Sequence, residues 1–259
     1  MRLAAWATPR AGAELRGLRY GAHPRHRLDL VLPREVTPAT PLVVFFHGGS
    51  WQVGARGDYL FLGRALAAEG IAVALPDYRL WPEARWPDFI EDGALAMAWL
   101  RGAGEAPRGP VFAMGHSAGG FIAAALALDP RWMGAARETL AGAVLVSAPI
   151  AWQPTDEPVR SIFAGALGGK IEAVPDAAAL ASAPPLLLVH GATDEVVGPF
   201  HSERLARDVT ASGGTARLHV MPGAGHIAPM VALSAPARRY NWARPDAWDA
   251  VVGFVRQPR

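Results

Sequence analysis

Residues 115–119 read Gly-His-Ser-Ala-Gly, a serine with a glycine two places before it and another two places after it. That spacing suits a nucleophile carried on a sharp turn between a strand and a helix. Small residues at the flanks avoid the neighbouring backbone, and the hydroxyl of Ser117 is left at the positive end of the following helix. A serine is also a common helix N-cap, so the motif needs its context. The context fits: an apolar run at 111–114 precedes it and a helical pattern at 121–128 follows it.

A serine hydroxyl is a weak nucleophile and needs a base, itself oriented by an acid. For a serine on such a turn the acid and then the base follow in the chain. The apolar run 186–189 leads into His190-Gly191-Ala192-Thr193-Asp194-Glu195, which puts Asp194 on the loop that a strand end aims at the site. Glu195 is its nearest rival, one residue further on. The run 218–221 leads into Pro222-Gly223-Ala224-Gly225-His226. Of the eight histidines, only His226 follows the acid on a glycine-rich loop after a strand. His23 and His26 precede the sheet, His190 ends a strand, His201 starts a helix and His219 lies within a strand run. Acyl transfer also requires donors for the developing oxyanion. Ala118 offers one backbone N–H, and the loop His47-Gly48-Gly49-Ser50-Trp51 offers those of Gly49 and Ser50. His47, Gly48, Trp51 and His116 are the candidate substrate contacts. A plain Gly-Gly turn with core-packed neighbours is the simpler alternative for that loop.

The elements that must position these residues are legible. Continuous apolar runs at 42–46, 71–75, 111–114, 143–146, 186–189 and 218–221 predict strands buried on both faces, as in a parallel sheet. Helical patterns at 58–69, 87–101, 117–128, 199–211 and 247–256 fall between or after them. Residues 15–20 and 27–32 alternate more and predict an antiparallel edge hairpin. The reading is an α/β fold over 1–259 as a single domain: a mostly parallel twisted sheet with helices on both faces. Residues 150–184 form the one long irregular insertion, a candidate small cap over the site.

The composition narrows the partners. The net charge is +2, Lys170 is the only lysine, and the arginines are scattered, so nucleic acid is not expected. There is no cysteine to form a disulfide, ligate a metal or act as a thiolate. No apolar run is long enough for a bilayer, and the first residues do not resemble a secretory signal, so a cytoplasmic location away from membranes is expected. The expected chemistry needs no metal or organic cofactor. The expected partner is a small-molecule ester or amide, with a homodimer as a further option.

Taken in order, His47-Gly48-Gly49-Ser50-Trp51, Asp77-Tyr78-Arg79-Leu80 with Pro82-Glu83, Gly115-His116-Ser117-Ala118-Gly119-Gly120, Asp194 and His226 resemble the esterase and lipase branch of the α/β hydrolases. The nearest groups are the hormone-sensitive-lipase-like esterases and a related group with an H-G-G-x-W loop, which includes carboxylesterases, acetyl-xylan and feruloyl esterases and kynurenine formamidases. Ser50, where the first group carries a third glycine after the histidine, favours the second. The resemblance covers roughly 42–226 and implies an α/β-hydrolase fold with a Ser117–Asp194–His226 triad. It also implies that Arg79 braces the oxyanion loop, and that Trp51, Trp81, Trp86 and Trp152 are candidates for an aromatic pocket. The large N-terminal cap of the first group is missing, which implies an open site for small acyl groups. The resulting expectation is a serine carboxylesterase for small or short-chain acyl esters, more active as rising pH deprotonates His226. An arylformamidase cleaving N-formyl kynurenine is the alternative within the same chemistry. A catalytically inactive ligand-binding relative is the alternative outside it.

Overall fold

Five of the six apolar runs become inner strands of an eight-stranded sheet, but the sixth, at 218–221, forms an edge strand with Leu218 and Val220 exposed rather than buried on both faces. In a computed structural model that describes residues 8–152, 154–166, 171–172, 177–235 and 246–257 (backbone only at 151–152 and 171–172), the strands are β1 (Glu14–Arg19), β2 (Arg27–Val31), β3 (Leu42–Phe46), β4 (Ala72–Pro76), β5 (Val111–His116), β6 (Leu140–Val146), β7 (Ala151–Trp152), β8 (Ile171–Glu172), β9 (Leu186–Gly191) and β10 (Ala216–Met221). The large sheet runs β1-β2-β4-β3-β5-β6-β9-β10. All neighbours from β4 to β10 pair in parallel. The hairpin β1–β2 and the contact of β2 with β4 are antiparallel.

Helices cover both faces because side chains alternate along a strand. Leu42, Val44 and Phe46 of β3 share a core with Phe89, Ile90 and Met97 of α2, with α3 and with Leu205 and Val209 of α4. Val43 and Phe45 face the other way, in a core with α1 and α5. Here α1 is Leu60–Ala67, α2 Asp88–Gly102, α3 Ala118–Leu128, α4 Phe200–Ala211 and α5 Asp246–Arg256. Every residue of α3 is buried, which its run of Ala, Gly, Leu, Ile and Phe permits. No described helix is long and apolar enough to cross a membrane.

Within 150–184, β7 and β8 form a small antiparallel pair, and short helical turns span Val159–Ile162 and Ala177–Ala181. Phe163, just after the first turn, packs at right angles on Trp51 and Phe121.

Candidate active site

Ser117 sits where β5 gives way to α3, with φ 52° and ψ −120°. A non-glycine residue rarely holds this region unless its surroundings over-determine it. Here they do. The Ser117 N–H donates to Val146 O at 2.9 Å, and the Ser117 carbonyl accepts from Phe121 N–H at 3.0 Å. The flanking glycines are demanded by space. A Cβ on Gly115 would lie 2.1 Å from Gly119 O, and one on Gly119 would lie 2.1 Å from Phe46 O. The G-x-S-x-G spacing is therefore the footprint of three backbone segments in close contact.

Asp194 and His226 meet after β9 and β10. Asp194 Oδ2 lies 2.8 Å from His226 Nδ1, so His226 donates there and keeps Nε2 for a proton from the serine. The other oxygen, Oδ1, accepts from Val196 N–H at 3.0 Å and Val197 N–H at 2.9 Å. Burial by itself would raise the Asp194 pKa. The amide of Val197 and the imidazole of His226 outweigh it and hold the carboxyl below its ordinary value. Glu195, the sequence rival, is exposed, whereas Asp194 is buried against His226. The Ser117 hydroxyl has no hydrogen-bond partner among the described residues; nucleophile–base bonds are commonly loose in a resting site.

His190 braces the acid. It is fully buried, lies 2.8 Å from Val197 O and 3.3 Å from Asp194 Oδ2 through Nε2, and meets Ser202 Oγ at 2.7 Å through Nδ1. Burial pushes its pKa down. A neutral ring donates from Nε2 to the Val197 carbonyl and accepts the Ser202 hydroxyl at Nδ1.

The loop after β3 turns tightly through Gly49 (φ 129°), Ser50 (φ 51°) and Trp51 (φ 59°). Its inner turn is closed by Gln52 N–H and Val53 N–H, both donating to Gly49 O at 3.0 Å. The amides of Gly49, Ser50 and Ala118 have no acceptor among the described residues, which leaves them available to an oxyanion. Gly49 and Ser50 line one cavity together with Ser117 and His226. The cavity is about 680 Å³, and its other lining includes Gly48, Tyr59, His116 and the apolar Val53, Val196 and Ile227. No described residue of 150–184 lines it.

His47 and Trp51 are buried behind the loop, not in the cavity. His47 donates from Nδ1 to Gly48 O at 2.9 Å and stacks on Tyr78 with ring centroids 4.3 Å apart. Burial pushes its pKa down to about 4, so it stays neutral. Trp51 packs against Phe89, Phe121 and Phe163. Trp81 and Trp86 also lie outside the cavity, beside Arg85 and Trp132 respectively. The side chain of Trp152 is outside the described residues.

Arg79 does not brace the oxyanion loop. It clamps Asp92 on α2, with Nε 2.9 Å from each carboxylate oxygen, and reaches Asp88 at 3.4 Å. The bracing comes instead from Arg25, which no motif marks, and from Asp77, two residues before Arg79 in the same motif. Arg25, in the β1–β2 turn, donates to Gly54 O at 3.0 Å and to Tyr78 O at 2.7 Å. Asp77 accepts the Arg56 N–H at 2.6 Å. No local pattern announces these contacts, or those of Tyr59 and His190. Among the described residues, no group of three or more His, Asp or Glu side chains is placed to hold a metal.

The sequence comparisons agree with this architecture. The family described by the alpha/beta hydrolase fold matches residues 43–230. A probable isoprenylcysteine alpha-carbonyl methylesterase of Oryza sativa subsp. japonica is 31% identical over 249 residues, covering 82% of this chain and 58% of that protein. The esterase LipC of Mycobacterium tuberculosis is 30% identical over 234 residues, covering 80% of this chain and 58% of its own length. The chain thus spans a little over half the length of these relatives. Among solved structures, esterase B from Lactobacillus rhamnosis superposes with a TM-score of 0.71 at 22% identity, covering 98% of this chain and 88% of that one, a likeness of fold. With the motif loops, the sheet order and the family match in agreement, the chain belongs to the α/β-hydrolase fold family, in its esterase and lipase group.

Proposed function

We propose that this protein is a serine carboxylesterase that hydrolyses small or short-chain acyl esters through an acyl-enzyme. The observation that carries the reading is the 2.8 Å pairing of Asp194 Oδ2 with His226 Nδ1 beside a cavity that Ser117 also lines. His226 takes the Ser117 proton at Nε2 as the oxygen attacks the ester carbonyl. Asp194 holds the tautomer and stabilises the imidazolium. The amides of Gly49, Ser50 and Ala118 receive the negative charge on the former carbonyl oxygen. The tetrahedral centre collapses, the C–O bond to the alcohol breaks, and His226 returns the proton to the leaving oxygen. Water then attacks the acyl-enzyme with His226 as base, releasing the acid and restoring Ser117.

The names of the relatives support an ester substrate, and the methylesterase among them supports a small alcohol. The exposed side chains of Val53, Val196 and Ile227 at the cavity support an apolar group on the substrate.

The test is a p-nitrophenyl ester series of increasing chain length, run beside a formanilide and with fluorophosphonate labelling. Turnover greatest on short esters, with labelling lost in Ser117→Ala, is expected. Faster turnover of the formanilide would shift the assignment to an arylformamidase. Absence of both turnover and labelling would point to a ligand-binding protein.

A further inference from the structure

Three separate loops of the site are tied together by two side chains that none of the proposed chemical steps uses. The Gly48 amide lies 3.2 Å from the hydroxyl of Tyr59. That hydroxyl lies 3.4 Å from His116 Nδ1. His116 Nε2 lies 3.2 Å from the backbone carbonyl of His226. Gly48 belongs to the loop after β3, His116 to the nucleophile turn and His226 to the base loop. Both side chains are buried and both border the catalytic cavity.

The ends of this chain fix its direction. A backbone N–H can only donate, so Tyr59 Oη accepts from Gly48 and has its own hydrogen to give. A backbone carbonyl can only accept, so His116 must carry its hydrogen on Nε2 and give it to His226 O. Nδ1 of His116 is then bare and takes the Tyr59 hydrogen. Each atom fills one role, and no other protonation of a neutral ring fills both.

Two further observations agree with it. Burial, followed by the neighbouring His226, pushes the His116 pKa down to about 4, and burial raises that of Tyr59, so both keep the required protons near neutrality. Gly48 has no positive φ that would call for glycine. A Cβ there would instead stand 2.8 Å from His116 Nδ1 and 3.3 Å from the Tyr59 hydroxyl. Its missing side chain is the room in which the two groups meet.

We propose that Tyr59 and His116 are positioning residues, forming a one-way hydrogen-bond relay that sets the oxyanion loop and the base loop in register with the nucleophile turn. The proposal rests on the serine-esterase reading for its kinetic consequence, but not for its structural one. The relay acts on geometry that matters in the transition state more than in substrate binding, so its loss falls on kcat.

The test uses the full chain labelled with ¹⁵N-histidine, with His116 assigned by the signal lost in His116→Gln. The wild-type protein is expected to show His116 as the Nε2–H tautomer at neutral pH. Tyr59→Phe, which keeps the ring, is expected to lower kcat on p-nitrophenyl acetate about tenfold with KM changed less than twofold, and to move His116 toward a tautomer mixture. His116→Gln, which keeps a donor at the ε position, is expected to lose less kcat than His116→Leu. An Nδ1–H tautomer in the wild type overturns the relay, as does a Tyr59→Phe protein with wild-type kcat. If the wild type turns over no ester, the esterase reading fails by itself, and the tautomer measurement still decides the relay.

Discussion

Arg56 and Asp77 hold each other twice: the Arg56 amide donates to Asp77 Oδ1 at 2.6 Å, and its guanidinium reaches Asp77 Oδ2. The same guanidinium binds Asp29 Oδ1 at 3.0 Å, so one cation serves two buried carboxylates, on β2 and just beyond β4. Without Arg56, Asp29 would keep Arg16 at 2.9 Å and Asp77 would keep Arg25 at 3.8 Å, so two buried carboxylates would be left under-compensated in a poorly solvated place. Arg56→Met is expected to cost about 3 kcal/mol of unfolding free energy, read as a lower urea midpoint with an unchanged slope. Because the loop bearing Gly49 and Ser50 leads directly into Arg56, kcat should fall in parallel. A midpoint equal to that of the wild type would show that the pairing is dispensable.

The strain at Ser117 separates stability from activity. Glycine adopts φ near 52° without the clash that a side chain suffers. Ser117→Gly is expected to be inactive yet more stable by about 1 kcal/mol, seen as a higher thermal midpoint. Ser117→Ala keeps the strain, and kcat should drop by about 10⁴-fold or more. A Ser117→Gly protein that melts below the wild type would contradict the strain argument.

Asp194→Asn tests the orientation of the base. The amide can present its NH₂ to His226 Nδ1 and so favour the wrong tautomer. A loss of about 10⁴-fold in kcat is expected, with circular dichroism unchanged. A loss below tenfold would show that another group orients His226, and His190 would be the first to examine, because its Nε2 is 3.3 Å from the same carboxylate.

Acid should destabilise the fold well before the carboxylates titrate. Burial pushes His47 and His116 down to about 4, and burial, with the neighbouring His190 and Arg204, does the same for His201. In the unfolded chain each histidine takes its proton near the ordinary value of about 6.5. Between those limits the unfolded state binds more protons, so stability is fully present above about pH 6.5 and lost as pH falls toward about 4. Each histidine adds a slope of about 1.4 kcal/mol per pH unit within that window. Urea melts from pH 8 to 4 would show this, and a flat profile above pH 5 would refute it. His116→Gln should flatten the slope by about one proton.

The inner strands are readable from sequence because both of their faces are buried, so 42–46 and 186–189 are unbroken apolar runs. The Asp194 loop could be located because it follows such a run, and the His226 loop because it follows the strand pattern at 218–221, although that strand is a half-exposed edge interrupted by His219. What the motifs could not convey was direction over long side chains. Trp51 suggests a pocket wall, but positive φ at Ser50 and at Trp51 itself turns the indole into the core. Arg79, beside Asp77 in the chain, grips α2, while the more distant Arg25 reaches Gly54. Tyr59 gave no signal at all, because its partners Gly48 and His116 are 11 and 57 residues away.

The glycines at 115 and 119 have a further consequence. They are fixed by backbone atoms about 2 Å from where a side chain would begin, whereas Ser117 itself projects into an open cavity. The turn therefore tolerates a change of reacting atom far better than a change of frame. A thiol or a carboxylate at position 117 would inherit the same stance toward the amides of Gly49 and Ser50, with no need to rebuild what surrounds it. In this protein the geometry is the inherited part, and the identity of the attacking group is the adjustable one.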